Sequence, residues 1–174
     1  MKREEIADIR HDYGKFKLDE KSICKNPFDQ FKIWFDDAVA AQFTDPNAMT
    51  LSTVASTGRP SSRIVLLKGY DETGFYFQTG GMKKLVPELR SNPKAEACFY
   101  SPTNGMGRML RIEGEVEFID DRALRAKAIE DRPFLLQFGL TADSPELIIF
   151  RFPHGKAHFW TMADNIGPKN YIEF

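Results

Sequence analysis

The sequence predicts an α+β protein built on an antiparallel β-barrel, and three observations carry that expectation. Short runs of branched and aromatic residues recur, each bounded by turn-forming residues. The turns between successive runs are of hairpin length, and helical periodicity is confined to the start of the chain and to two crossovers. About six or seven strands follow, and closing them into a barrel removes the exposed edges that such apolar strands would otherwise present.

The stretch Arg63-Ile64-Val65-Leu66-Leu67-Lys68 is the centre of this pattern, an apolar strand with a cation at each end. At about 3.3 Å per residue the two cations stand roughly 17 Å apart, too far to grip one phosphate together. Upstream, Ile6, Ile9 and Tyr13 have the spacing of a short amphipathic helix, and residues 1–25 form an N-terminal arm on a single domain of residues 1–174. Asn26 caps a helix that opens with Pro27 and carries an apolar stripe of Phe28, Phe31, Trp34, Phe35, Ala38 and Val39. Residues 48–55 alternate as a strand, 56–60 turn, and the central strand leads through Gly69–Gly74 to a third strand, Phe75–Thr79. A helix is expected over Met82–Arg90, with Pro87 limiting it. Lys94–Tyr100 is a strand, and Arg108–Phe118 is a long strand with a bulge at Gly114. Asp120 or Asp121 caps a helix to about Asp131, and Leu147–Phe152 with Ala157–Met162 reads as a closing hairpin.

Composition excludes several functions. The net charge of −1 argues against a nucleic-acid or membrane surface spread over the protein, so an anion site has to be local. Such a locality exists between Arg59 and Lys94, where seven basic residues face Asp71, Glu72 and Glu88. Acids near the start and the lack of a membrane-length apolar run point to a cytoplasmic protein. Cys24 and Cys98 have no ligand-like spacing, and Cys98 is expected in the core. His154 and His158 are four apart, but Pro153 and Gly155 forbid the helix that would bring them onto one metal. Arg108 and Arg111 are expected as surface charges. Gly80 and Gly81 ahead of Lys83 and Lys84 place backbone donors, a helix start and two ammonium groups together, which is anion-site chemistry.

The segments GRPSSRIVLLKGYDETGFYFQT, GGMKKLVPELRSNPKAEACFY, RMLRIEGEVEFI, DRP and AHFW, in this order, resemble the pyridoxamine 5′-phosphate oxidase family of FMN-binding split barrels, from Ile9 to Trp160. The resemblance implies FMN at the interface of a homodimer. Arg63, Lys83 and Lys84 would bind its phosphate, with Lys83 replacing an arginine of the family and losing the bidentate fork. Ile64, Val65, Leu66 and Leu67 would line the flavin largely through backbone groups, Gln78 and Thr79 would stand where the family has a tyrosine-threonine pair, and Trp160 would pack near the ring. Lys68 would meet cofactor and substrate, with Arg132, Arg10 and Tyr13 on the substrate side. Met109 stands where the family keeps a glutamine that touches the flavin ring system, and the remaining departures fall on the vitamer half: Ala128 and Leu136 replace a tyrosine and a serine, and no Arg-x-His segment follows Trp160. The resemblance therefore implies an FMN-dependent oxidoreductase acting on another small molecule. The alternatives are an authentic pyridoxamine or pyridoxine 5′-phosphate oxidase, or a non-catalytic binder of flavin, haem or a deazaflavin.

Overall fold

Nine strands among the described residues form one antiparallel sheet that curls into a split barrel. The computed structural model describes residues 23–102, 107–153, 155–161 and 171–173. The strands are β1 (Ala48–Val54), β2 (Pro60–Asp71), β3 (Gly74–Gly80), β4 (Lys94–Ser101), β5 (Arg108–Glu115), β6 (Glu117–Phe118), β7 (Leu147–Phe152), β8 (Gly155–Thr161) and β9 (Tyr171–Glu173). Their order across the sheet is β6-β7-β3-β2-β1-β4-β5-β8-β9. The helices are α1 (Pro27–Ala40), α2 (Leu85–Ser91) and α3 (Arg122–Glu130), followed by a 3₁₀ turn over Pro133–Phe138. None of the described helices is long and apolar enough to cross a membrane.

Local chemistry accounts for the helix starts. The Asn26 side chain accepts a hydrogen bond from the Phe28 N–H at 2.8 Å, and the Asp121 side chain accepts one from the Leu124 N–H at 2.8 Å. Gly74, in the β2–β3 turn, has φ 137° and lies against the Phe152 backbone, where an added Cβ would sit 2.1 Å from the carbonyl oxygen. Helix α1 lays Phe31, Trp34 and Ala38 on the core. The Phe31 ring meets Tyr70, Phe75 and Phe99 edge-on at 4.9 to 5.4 Å. Leu85, Val86 and Leu89 of α2 join the same core, while a smaller cluster around Leu135, Leu147 and Ile149 packs under α3 through Ala128.

Some expectations fall outside the described residues, and others are corrected. The proposed arm with Arg10 and Tyr13, together with His154 and residues 162–170, lies outside the described residues. Val39 is 49% exposed, so the apolar stripe of α1 is narrower than its sequence suggests. Cys98 pairs with Thr50 and Arg111 on the outer face and is half-buried, because its neighbours Ala97 and Phe99 take the inward positions. The long strand divides at Val116, not at Gly114: β5 pairs with β4 and β8, whereas β6 pairs with β7. β7 and β8 do not form a hairpin. β7 pairs with β3 and β6, and β8 with β5 and β9, so the short link at Pro153 carries the chain from one half of the sheet to the other. Arg108 makes an ion pair with Asp37 and lies over the Trp34 ring, and Arg111 contacts His158 at 2.7 Å, so neither is a solvated surface charge.

Candidate functional site

The candidate site is a groove of about 410 Å³ opened by the parting of two strands. β2 pairs with β1 from Pro60 to Leu66, but its pairing with β3 begins only at Leu67–Phe77 and runs towards the turn. Above that point β3 continues on β7, with Gln78 opposite Ile149 and Thr79 opposite Ile148. Residues 63–66 of β2 therefore have a strand neighbour on one side, and on the other their backbone faces the gap. Arg63, Ile64, Val65, Leu66, Gln78 and Thr79 line this gap together with Lys68, Lys83 and Leu85. Leu67 is 5% exposed and points into the core, outside that lining.

The groove carries an unsatisfied group. The Gln78 side-chain Oε1 is buried and has no hydrogen-bond partner among the described residues. A buried acceptor without a donor costs about 1–3 kcal/mol, so an N–H or O–H from a bound molecule would relieve a standing penalty. Polar backbone groups, a waiting acceptor, apolar Ile64 and Leu66 and nearby cations fit a molecule with a flat polar ring system and an anionic tail.

Arg63 is held from behind. Its side chain points inward beside Leu51 and Thr53, and its Nη1 donates to the Leu51 carbonyl at 3.3 Å and to Thr53 Oγ1 at 2.6 Å. Its Nη2 donates to Glu88 Oε2 at 2.7 Å. Thr53 Oγ1 donates in turn to the same carboxylate oxygen at 2.6 Å, while Ser61 Oγ donates to Oε1 at 3.0 Å and the Lys84 ammonium stands 3.3 Å from it. Glu88 is 5% exposed, yet these donors hold its carboxyl well below the usual range, at about 2, with the Thr53 hydroxyl contributing most. Lys83 lines the groove, and Lys84 reaches across to Ser61 at 3.2 Å. Helix α2 is seven residues long and opens at Leu85, after both lysines, so they stand on a turn and not in a first helical turn. Pro87 is tolerated because it lies in that short helix's opening turn, where its missing N–H is not needed.

Lys68 sits where the β2–β3 register shifts, and this irregularity places it on the lining of the groove and of a second cavity of about 180 Å³. Arg132 and Tyr76 border that second cavity, with Leu124, Ala128 and Ile149 as apolar wall. Burial first, and Arg132 second, lower the Lys68 ammonium pKa, and burial lowers that of Arg132. Lys68 and Arg132 thus put two partly desolvated cations on this cavity, whose lining also holds Asp71, Asp131 and Lys127. Arg132 spends its Nε on the Ala128 carbonyl at 3.1 Å.

Trp160 is not brought to this groove within one chain, since β1, β4 and β5 lie between β2 and β8. It does share a face with it. Leu66 pairs with Ala48, Tyr100 with Met109, and Met109 with Trp160, with Tyr100 one step beyond the Met49–Phe99 pair. This row, together with Ile64 at 65% and Tyr100 at 51% exposure, forms an apolar outer face running from the groove to Trp160. Sequence reasoning missed Glu88, Thr53 and Ser61. The signal for Glu88 was an acid four residues after Lys84 inside the apolar stripe Leu85, Val86 and Leu89.

A family model described as pyridoxamine 5′-phosphate oxidase matches residues 35–148. The chain is 48% identical over 112 residues to a pyridoxine/pyridoxamine 5′-phosphate oxidase of Bordetella petrii, covering 64% of this chain and 52% of that protein. It is 46% identical over 112 residues to the protein of the same name from Burkholderia thailandensis, covering 64% and 51%. The chain thus spans about half the length of these relatives. In fold it is similar to PhzG of Burkholderia lata, solved with tetrahydrophenazine-1-carboxylic acid, at TM-score 0.73 and 18% identity over 94% of this chain and 98% of that one. It is also similar to a pyridoxamine 5′-phosphate oxidase-related, FMN-binding protein of Nostoc punctiforme, at TM-score 0.62 and 18% identity over 84% and 88%. A haem-binding protein of Mycobacterium smegmatis shares the fold at TM-score 0.56 and 15% identity over 81% and 56%.

Proposed function

The chain belongs to the pyridoxamine 5′-phosphate oxidase family, and we propose that it is a flavoprotein whose β2–β3 groove holds FMN for oxidation or reduction of a small organic anion. The observation that carries this reading is the coincidence of the strand split, the unpartnered Gln78 acceptor and the flanking cations in one groove. Arg63 and Lys83 would hold the phosphate, with Lys84 at its margin, and Ile64 to Leu66 and Thr79 would border the ring. When bound, the flavin supplies the capacity to take up or release a hydride equivalent. The protein's part is to hold the cofactor, shape the space beside it and place charge. Lys68 links the groove to the second cavity, so an anionic substrate drawn by Lys68 and Arg132 would lie next to the cofactor.

The substrate proposed is not pyridoxamine 5′-phosphate. The second cavity presents the methyl group of Ala128 where the family resemblance places a tyrosine hydroxyl, and Leu136 is 55% exposed. A phosphate there would keep two cations and lose its neutral donors, a cost of about 1–3 kcal/mol for each unpaired group. Assembly as a homodimer is part of the proposal: a second copy would cover the apolar row from Leu66 to Trp160 and bring its own Trp160 towards the groove. Arg10 and Tyr13 are proposed on the substrate side from the family resemblance alone.

The test is the absorbance spectrum and mass of whatever copurifies, followed by titration of ligand-free protein with FMN. Flavin absorbance, and FMN affinity that falls in Lys83→Ala/Lys84→Ala, are the expected results. Preparations that carry haem, or that neither retain nor bind FMN, would overturn the reading. Oxygen consumption with pyridoxamine 5′-phosphate is expected to be absent.

A further inference from the structure

Glu88 has no place in the reading above, although it is a nearly buried carboxylate bound by four side chains beside the proposed phosphate position. We infer that Glu88, acting with Thr53, is a positioning residue that clamps the end of the Arg63 guanidinium and so presents its remaining edge to the cofactor phosphate. This inference rests on the FMN reading of the groove.

The geometry is specific. Thr53 Oγ1 and Glu88 Oε2 are themselves hydrogen bonded at 2.6 Å, so they form two adjacent acceptors, and Nη1 and Nη2 of Arg63 donate to them at 2.6 and 2.7 Å. The Leu51 carbonyl takes a second Nη1 donor. Three of the five guanidinium N–H groups are thereby used at one end, and Nε with the second Nη2 hydrogen remain. Those two lie on one edge and form the fork that matches two oxygens of a phosphate. Arg63 lines the groove and its side chain is 22% exposed, so a ligand in the groove can reach it, and the unspent edge is what it has left to offer. Glu88 also fixes charge. Arg63, Lys83 and Lys84 carry three positive charges, and one ionised carboxylate leaves a net of two, equal to the charge of a phosphomonoester dianion.

Orientation and charge make opposite predictions. If Glu88 were only a nearby negative charge, removing it would tighten phosphate binding, and Thr53→Val, which changes no charge, would do nothing. If it positions Arg63, Thr53→Val and Glu88→Ala both weaken it, and Glu88→Gln, which still accepts from Arg63, restores it. The experiment compares FMN with riboflavin, which lacks the phosphate, on ligand-free protein by fluorescence quenching. The expected result is that the preference of the wild type for FMN falls about tenfold in Thr53→Val and Glu88→Ala, the scale on which outer partners of a binding group act, with Glu88→Gln within about threefold of wild type. The loss should fall on FMN and not on riboflavin, whereas general damage to the fold would lower both. Should Glu88→Ala not fold, Thr53→Val and Glu88→Gln alone decide the matter. An unchanged preference in Thr53→Val, or a raised one in Glu88→Ala, overturns the inference. A wild type that binds FMN and riboflavin equally overturns instead the phosphate reading on which it rests.

Discussion

Arg63→Met should destabilise the ligand-free protein, and Glu88→Leu added to it should restore much of the loss. Removing one partner of a buried ion pair leaves the other charge uncompensated, which costs about 3–5 kcal/mol for fully enclosed pairs. Here the Arg63 side chain is 22% exposed, and Glu88 keeps Thr53, Ser61 and Lys84, so the expected loss is smaller, about 2–3 kcal/mol. For a chain of this size each kcal/mol moves the melting temperature by roughly 2–4 °C, so the single variant should melt about 4–12 °C lower. Glu88→Leu alone should cost less, about 1–2 kcal/mol, because the arginine freed by it can turn to the solvent it already touches. In Arg63→Met/Glu88→Leu neither charge remains, and two apolar chains fill the space beside Leu51 and Leu89. The double variant should therefore lie within about 1 kcal/mol of the wild type, and the coupling energy should be at least about 2 kcal/mol. Urea unfolding of all four proteins at pH 7 measures this cycle. A double variant whose loss equals the sum of the single losses would refute the claim that these two groups hold one another.

Two further outcomes follow from the same region. The Glu88 carboxyl titrates at about 2 in the folded protein against an ordinary 4.5, so its stabilising contribution is complete above about pH 4.5 and disappears as pH falls towards 2. The shift sets a ceiling of about 3 kcal/mol, and solvent around Lys84 and Arg63 reduces the working figure to about 1–2 kcal/mol; urea midpoints measured between pH 5 and pH 2.5 should fall less steeply in Glu88→Gln than in the wild type. Gln78→Met removes the unpartnered acceptor, so the ligand-free protein should gain up to about 1 kcal/mol while FMN affinity drops about threefold to tenfold. Equal stability with undiminished FMN affinity would show that Gln78 does not face the cofactor.

Much of the site was legible along the chain. Arg63 to Leu66, Lys68, Gln78 and Thr79 fall on the two strands that the pattern gave, because the turn over Gly69–Gly74 folds β3 back on β2 as far as Leu67, whereas Lys83 lies on a turn ahead of the helix in which it was expected. The capped start of α1 was equally plain, since Asn26 and Pro27 act on their own neighbours. Other features were read wrongly for a common reason. β7 and β8 look like a hairpin to any rule based on short links, but each has a better partner elsewhere, and Pro153 joins two halves of the sheet instead of closing a turn. Cys98, set between Ala97 and Phe99, looks interior until the register fixes which of them faces inward.

The amino-acid order by itself determined which segments are strands, where the cations fall and to which family the pattern belongs, because period-two burial and turn chemistry act over a few residues. The tertiary structure alone decided that β2 and β3 part above Leu67, that Lys68 stands with Arg132, and that the arginine foreseen as a free phosphate ligand is already gripped by a carboxylate 25 residues further on. Those are meetings between remote segments, fixed by how the whole core packs, and no local periodicity encodes them.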